Sequence, residues 1–222
     1  MTARHRSALF PALLAAPLLA ASFGGWATIT VDDLPEHVVA GQPFQLTYTV
    51  RQHGVSLLGG LKGRVEARLD NREVLVPAAS GRKAGQYAAS LTIPKPGSWT
   101  VTIHSGFGNS SRKLLPIRVV DGTTRVAAMA PAERGMHLFV AKGCVTCHTH
   151  RDAGPEAKGD VGPDLSDKRF TADYLARYLA DPSIKTPTSD TKSMPDLDLK
   201  EPEIAALVAF INGSGPTGSG KR

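Results

Sequence analysis

The chain has 222 residues, 41% of them hydrophobic and 21% charged, with a formal net charge of +6. That length is enough for two small domains and too much for a single one of the kind its C-terminal half suggests. The basic residues are spread along the chain rather than clustered with aromatics, which argues against nucleic acid as a partner, and no Ser-His-Asp set, phosphate loop or convincing carboxylate pair points to catalysis by side chains.

Residues 1–27 read as a secretory signal. Arg4, His5 and Arg6 form a basic start, Ala8 to Ala21 is an apolar run, and Gly25-Trp26-Ala27 places small residues at a cleavage site. The run is broken by Pro11 and Pro17 and is short of the roughly 20 residues a membrane span needs. A retained anchor is the alternative. Either way the expected location is the periplasm or the outer face of the cytoplasmic membrane.

Residues 28–120 alternate like strands. Phe44, Leu46, Tyr48 and Val50 form one apolar set, Tyr87, Ala89, Leu91 and Ile93 a second, and Trp99, Val101 and Ile103 a third. Ala40-Gly41, His53-Gly54, Gly59-Gly60, Asp70-Asn71, Ser80-Gly81 and Pro96-Gly97 punctuate them as turns. About seven short strands at this spacing predict an all-β, antiparallel, immunoglobulin-like sandwich. It contains no cysteine, so packing alone must hold it. The stretch from Gly85 to Thr100 loosely resembles small periplasmic sandwich domains of the YtkA and FixH type. That resemblance implies copper handling or oxidase assembly, for which His37, His53 and His104 are the available imidazoles, each near a turn or strand end where solvated histidines are common.

Residues 121–130 read as a small-residue linker, and 214–222 as a flexible Gly/Ser/Thr tail. The two halves differ in charge. Thr28 to Val120 carries eleven basic and six acidic residues, and Pro131 to Gly213 ten basic and thirteen acidic. A basic sandwich face suits an acidic partner or a peripheral membrane contact, or simple solubility. The short linker and separate apolar patterns predict two cores with few shared contacts.

Residues 131–213 carry the chemistry. Cys144-Val145-Thr146-Cys147-His148 is a C-x-x-C-H run, the spacing of covalent c-type haem attachment. On a helical turn, positions i, i+3 and i+4 share a face, so both thiols and the imidazole can meet one flat ligand. A thioredoxin-like pair, half a zinc site or a structural disulfide would not require His148, and no further cysteine exists to complete a zinc site. For the sixth iron ligand Met194, in Ser193-Met194-Pro195, is favoured. Its polar, Pro-rich setting is a poor place for a packing methionine, although core packing is the common use of Met. His150 follows the proximal ligand too closely, Met136 and His137 precede the motif on its own helix, and Met129 lies in the linker.

Pro131 to about Gly213 resembles a class I, single-haem cytochrome c domain. The resemblance rests, in order, on Gly135-x-x-x-Phe139, Gly143-Cys144-x-x-Cys147-His148, Gly162-Pro163-Asp164-Leu165, the helical stretch Thr171 to Ala180, Met194-Pro195 and a last helix, Glu201 to Asn212. It implies an all-α fold with one covalent haem c and a carbonyl of Pro163 holding the proximal imidazole. In the last helix, Ile204, Leu207, Val208 and Ile211 form a stripe expected to pack on the helix of Gly135, whose missing side chain permits close approach.

The reading that results is a two-domain chain, a β-sandwich followed by a cytochrome c domain: an electron carrier rather than an enzyme, exchanging electrons with redox proteins or forming part of a membrane respiratory complex. Two others remain open. One is a copper-binding or assembly factor of an oxidase; the other is a haem protein with an open site for gas sensing or peroxidase work.

Overall fold

The computed structural model describes residues 25–155, 157, 159–185 and 194–213. The expected signal before Gly25 and the tail after Gly213 lie outside the described residues.

Residues 27–120 are all β, in two sheets. The first runs β1 (Ala27–Val31), β3 (Pro43–Gln52), β8 (Gln86–Thr92), β7 (Ala79–Ser80), with β4 (Ser56–Leu57) on the far part of β3. The second runs β2 (His37–Val39), β11 (Ile117–Val120), β9 (Gly97–His104), β5 (Arg64–Leu69), β6 (Arg72–Pro77), with β10 (Ser111–Lys113) on β9. The expected period-two sets are the inner faces: Leu46, Tyr48 and Val50 of β3, Tyr87, Ala89 and Leu91 of β8, and Trp99, Val101 and Ile103 of β9 are all buried. Phe44, at the open end of β3, is half-buried.

Two of the polar tips inside are satisfied, while Tyr48 Oη has no hydrogen-bond partner among the described residues. Trp99 Nε1 donates to the Lys95 carbonyl at 3.0 Å, and Tyr87 donates to the Leu58 carbonyl at 2.7 Å. Burial pushes the Tyr48 phenol up to about 12, so it stays uncharged at any ordinary pH. Asp70, at φ 53°, and Asn71 form the two-residue turn joining β5 to β6, which matches the twist of a tight hairpin.

Two expectations need correction. Among the described residues eleven strands form instead of about seven, because short pieces such as β4, β7 and β10 pair on the longer ones. The sandwich is also not wholly antiparallel: β11 pairs with β2 in parallel, Arg118 opposite His37. A two-strand parallel pairing between segments this far apart leaves no local turn signature to read.

Among the described residues the C-terminal half has three α-helices, α1 (Pro131–Ala141), α2 (Ala172–Ala180) and α3 (Glu201–Ile211). Proline stands at the first turn of α1 and of α3, where its missing N–H costs nothing. Thr171 occupies the N-cap position of α2, but its side chain makes no capping bond. The α1–α3 contact is close: a Cβ built on Gly135 would lie 2.0 Å from the Ala206 carbonyl oxygen. Ile204, Leu207 and Ile211 are buried as the stripe predicts, Val208 is half-buried, and Ala206 and Phe210 are buried as well.

The largest departure from expectation lies between the halves. Their buried apolar side chains form one contiguous cluster, from Ile29 and Trp99 through Phe139 to Phe210, rather than two separate cores, although the elements of the two halves meet chiefly where α1 lies on β1. All five residues of β1 are buried, where an edge strand of a free-standing sandwich would show one face to water. Lys142 crosses the junction. It is 1% exposed, lies 2.8 Å from Glu203 Oε1 of α3, and donates at 2.8 Å to the Asp32 carbonyl just after β1. Arg134 donates to the Leu34 carbonyl at 2.6 Å, and Arg112 of β10 to Thr146 Oγ1 inside the C-x-x-C-H run. Ala27 is already strand, its N–H donating to Ser110 Oγ at 3.0 Å, so a cut after Ala27 would fall within β1.

Candidate haem site

The site begins where α1 stops. Lys142 and Gly143 close the helix with N–H bonds to the carbonyls of Leu138 and Val140, and Gly143 sits at φ 85°, a left-handed conformation that suits glycine at a helix end. The chain re-enters a single 3₁₀ turn, Cys144–Thr146, in which the N–H groups of Cys147 and His148 both reach the Cys144 carbonyl, at 3.1 and 2.9 Å. This turn puts Cys144, Cys147 and His148 on one side of the chain, as the i, i+3, i+4 spacing predicts. Cys144 is buried, and burial pushes its thiol up to about 12.

His148 is oriented from behind. Its Nδ1 lies 2.9 Å from the Pro163 carbonyl oxygen, a contact that makes Nδ1 the protonated nitrogen and leaves the Nε2 lone pair available. Burial lowers the pKa of His148, the Pro163 carbonyl pulling the other way. Two glycines hold the loop this close. A Cβ on Gly162 would stand 2.4 Å from the His148 ring, and one on Gly159 would stand 2.4 Å from the Cys147 backbone. Gly162 N–H also donates to the Cys147 carbonyl at 2.7 Å and Leu165 N–H to that of Thr149 at 2.9 Å, so the Gly162 to Leu165 segment is strapped along the motif.

Cys144, Cys147, His148, Pro163 and Met194 all line one cavity of about 470 Å³. The rest of its wall is largely apolar, with Phe139, Phe170, Leu175, Leu179 and Leu197 among the contributors. That volume is typical of a cofactor pocket. Its donor set fits a haem: two thiols that can become thioethers, one imidazole with a free lone pair, and a soft thioether on a separate segment.

The alternatives for the sixth ligand lie elsewhere. His150 is packed between Phe139 and Phe210, ring centroids 5.7 and 4.2 Å away, with Nδ1 accepting from Asp152 N–H; burial lowers its pKa. Met136 packs on the core. Met129 and His137 line a separate cleft of about 530 Å³ between β11 and α1. In the sandwich, His37 opens β2, His53 sits edge-on to Trp26 and His104 lies 3.7 Å from Glu66. Among the described residues no three His, Cys, Asp or Glu side chains converge as a metal site.

Sequence reasoning missed one wall of the cavity. Thr28 of β1 lines it, and nothing local to Thr28 signals this, since the contact exists only once the two halves are packed.

Comparison with known proteins agrees with the geometry. The family described as "Cytochrome C oxidase, cbb3-type, subunit III" matches residues 130–211. Residues 130–211 are a c-type cytochrome domain. Haem-based electron transfer is what such a domain supports. No curated protein matches the chain. Among solved structures, the Lin-41 filamin domain is similar at 18% identity over 43% of this chain and 93% of that one, with a TM-score of 0.35. Domains 4 and 5 of the S-layer protein SbsC match at 25% identity over 42% and 51%, TM-score 0.30. The superoxide reductase (neelaredoxin) of Ignicoccus hospitalis matches at 20% identity over 42% and 80%, TM-score 0.29. At such scores these likenesses carry no functional argument. Among the described residues no helix is long and apolar enough to cross a membrane.

Proposed function

We propose that this chain is an exported electron-transfer protein, a one-electron carrier or a subunit of a respiratory oxidase complex, in which Cys144 and Cys147 would hold a single haem c and His148 and Met194 would serve as its iron ligands. The observation that carries the reading is the convergence of all four residues, with Pro163 behind the imidazole, on one apolar cavity. Haem supplies a one-electron ferric/ferrous couple.

The protein's own groups do the rest. Cys144 and Cys147 would fix the group covalently and in one register. The Pro163 carbonyl holds the proton on Nδ1, which fixes the ring and raises the basicity of the opposite nitrogen. The apolar wall would exclude water and so favour the less charged state of the iron. Met194, on the segment after α2, would supply a soft ligand that favours ferrous iron and would leave oxygen no place to bind, which fits electron transfer better than gas sensing or peroxidase work. Redox proteins or the remainder of a membrane complex would be the donor and acceptor, as the family name suggests.

The test is Met194→Ala. The variant should keep its covalent haem, lose potential and bind carbon monoxide in the ferrous state. A variant with the parent's spectrum, potential and indifference to carbon monoxide would assign the sixth position to another residue.

A further inference from the structure

The outer face of β1 and β3 should be wet if the sandwich were only a spacer. Cross-strand partners share a face, and Ile29 and Val31 pair with Val50 and Tyr48 on the core side, which leaves Thr28 and Thr30, opposite Arg51 and Thr49, facing out. All four are buried, Thr28 to 4% exposure. The C-terminal domain meets this face at Thr28 and at Arg51. A Cβ on Gly143 would lie 2.8 Å from both the Ile29 carbonyl oxygen and Thr28 Cγ2, so the residue preceding Cys144 rests directly on β1. On the other side of the cavity, the β3–β4 turn meets the segment after Met194: a Cβ on Gly54 would stand 3.5 Å from Pro195 Cγ and 3.7 Å from Thr28 Oγ1. Arg51 reaches Asp198 at 3.9 Å, and Lys200 pairs with Asp33.

Thr28 and Pro195 line the same cavity as the proposed haem ligands. Thr28 Oγ1 is buried with no hydrogen-bond partner among the described residues. An orphaned buried hydroxyl costs about 1–3 kcal/mol, and it calls for an acceptor.

We propose, building on the haem reading above, that the sandwich is one lip of the haem crevice: β1 seats against the Cys144–His148 turn, the β3–β4 turn against Met194-Pro195, and the Thr28 hydroxyl donates to the bound haem. The haem periphery offers propionate carboxylates as the strongest acceptors. A donor there stabilises the state with the extra electron, so its loss lowers the potential. The sandwich thereby sets the redox behaviour of the haem instead of merely accompanying it.

The experiment compares full-length holoprotein carrying Thr28→Val, which keeps the shape and removes the hydroxyl, with Thr28→Ser, which retains it. Covalent haem is first verified in each by stain after denaturing electrophoresis; absence of haem from the parent would overturn the haem reading itself, and this proposal with it. Thr28→Val should lower the potential, changing the reduced-to-oxidised ratio at the parent's midpoint about fivefold, the worth of one net hydrogen bond, while Thr28→Ser stays with the parent. Equal potentials for parent and Thr28→Val would overturn the donor role. The lip itself is read by hydrogen exchange in the unmodified sequence, which decides the matter even if Thr28→Val does not fold. Amides of residues 27–31 and 53–55 should exchange more slowly in the holoprotein than in the haemless Cys144→Ala/Cys147→Ala chain, relative to β5 and β6. Identical exchange in the two proteins at those residues would overturn it.

Discussion

Replacing Lys142 with Met should be among the most destabilising exposed-looking substitutions in this chain, because a lysine preceding a glycine reads as surface and is in fact enclosed. Its ammonium is bound by Glu203 Oε1 and the Asp32 carbonyl, each at 2.8 Å, with the two side chains 2% and 9% exposed. At that separation and an effective dielectric near 20, the Coulomb attraction is on the order of 6 kcal/mol, most of it offset by desolvation of both groups. Removing one partner leaves the offset without the attraction. Glu203 keeps the Lys200 N–H, at 3.0 Å, but loses the ammonium, as does the Asp32 carbonyl. The expected cost is about 3–5 kcal/mol, or about 2 M in a urea midpoint for a chain of this size. The double variant Lys142→Met/Glu203→Leu should recover at least half of that loss, since no buried charge remains. Urea titration of the holoprotein, followed by far-ultraviolet circular dichroism and by haem absorbance, measures both. In the parent the two signals should change together, because the ion pair joins α1, α3 and the end of β1. A Lys142→Met variant within about 1 kcal/mol of the parent, or a double variant no better than the single, would refute the buried-pair account.

Gly135→Ala sets helix propensity against packing. Propensity favours alanine by about 1 kcal/mol, but a Cβ 2.0 Å from the Ala206 carbonyl forces α1 and α3 apart, and the net result should be a loss of about 3 kcal/mol or more; a raised melting temperature would mean that the helices do not cross there. Acid should weaken the fold through histidine. Burial lowers the pKa of His137 below 6.5, against the raising influence of Glu133 and with a smaller lowering one from Arg134, so the unfolded chain takes up the proton first. The stability is fully present above about pH 6.5 and declines as the pH falls from there toward the lower folded value. His137→Gln should flatten the urea-midpoint profile over that window, and a profile superimposable on the parent's would deny His137 any share.

What could be read from the sequence was what is local. Cys144 to His148 announces its chemistry by spacing, the helix ends at Gly143 and Pro202 follow from backbone chemistry, and Gly135 was legible as a close approach because a stripe of Ile204, Leu207 and Ile211 needed a surface to meet. The inner faces of β3, β8 and β9 were legible from period-two alternation. The parallel β2–β11 pair was not, since partners joined by no turn leave no local signal. Nor was the junction between halves. Thr28 and Thr30 look like the wet side of an alternating strand, and Lys142 like an ordinary surface lysine; only the packed structure places a cofactor-sized cavity beside Thr28 and a carboxylate beside Lys142. The charge difference between the halves argued for separation, yet the junction uses individual ion pairs and backbone carbonyls, which net charge does not reveal.

The central claim is that Cys144 and Cys147 carry one haem covalently. Mass spectrometry of the purified, denatured chain after trypsin tests it most directly, because cleavage at Lys142 and Arg151 isolates both cysteines and His148 in a single peptide. That peptide should carry the mass of one haem added across its two thiols; an unmodified peptide from fully matured, exported protein would contradict the account.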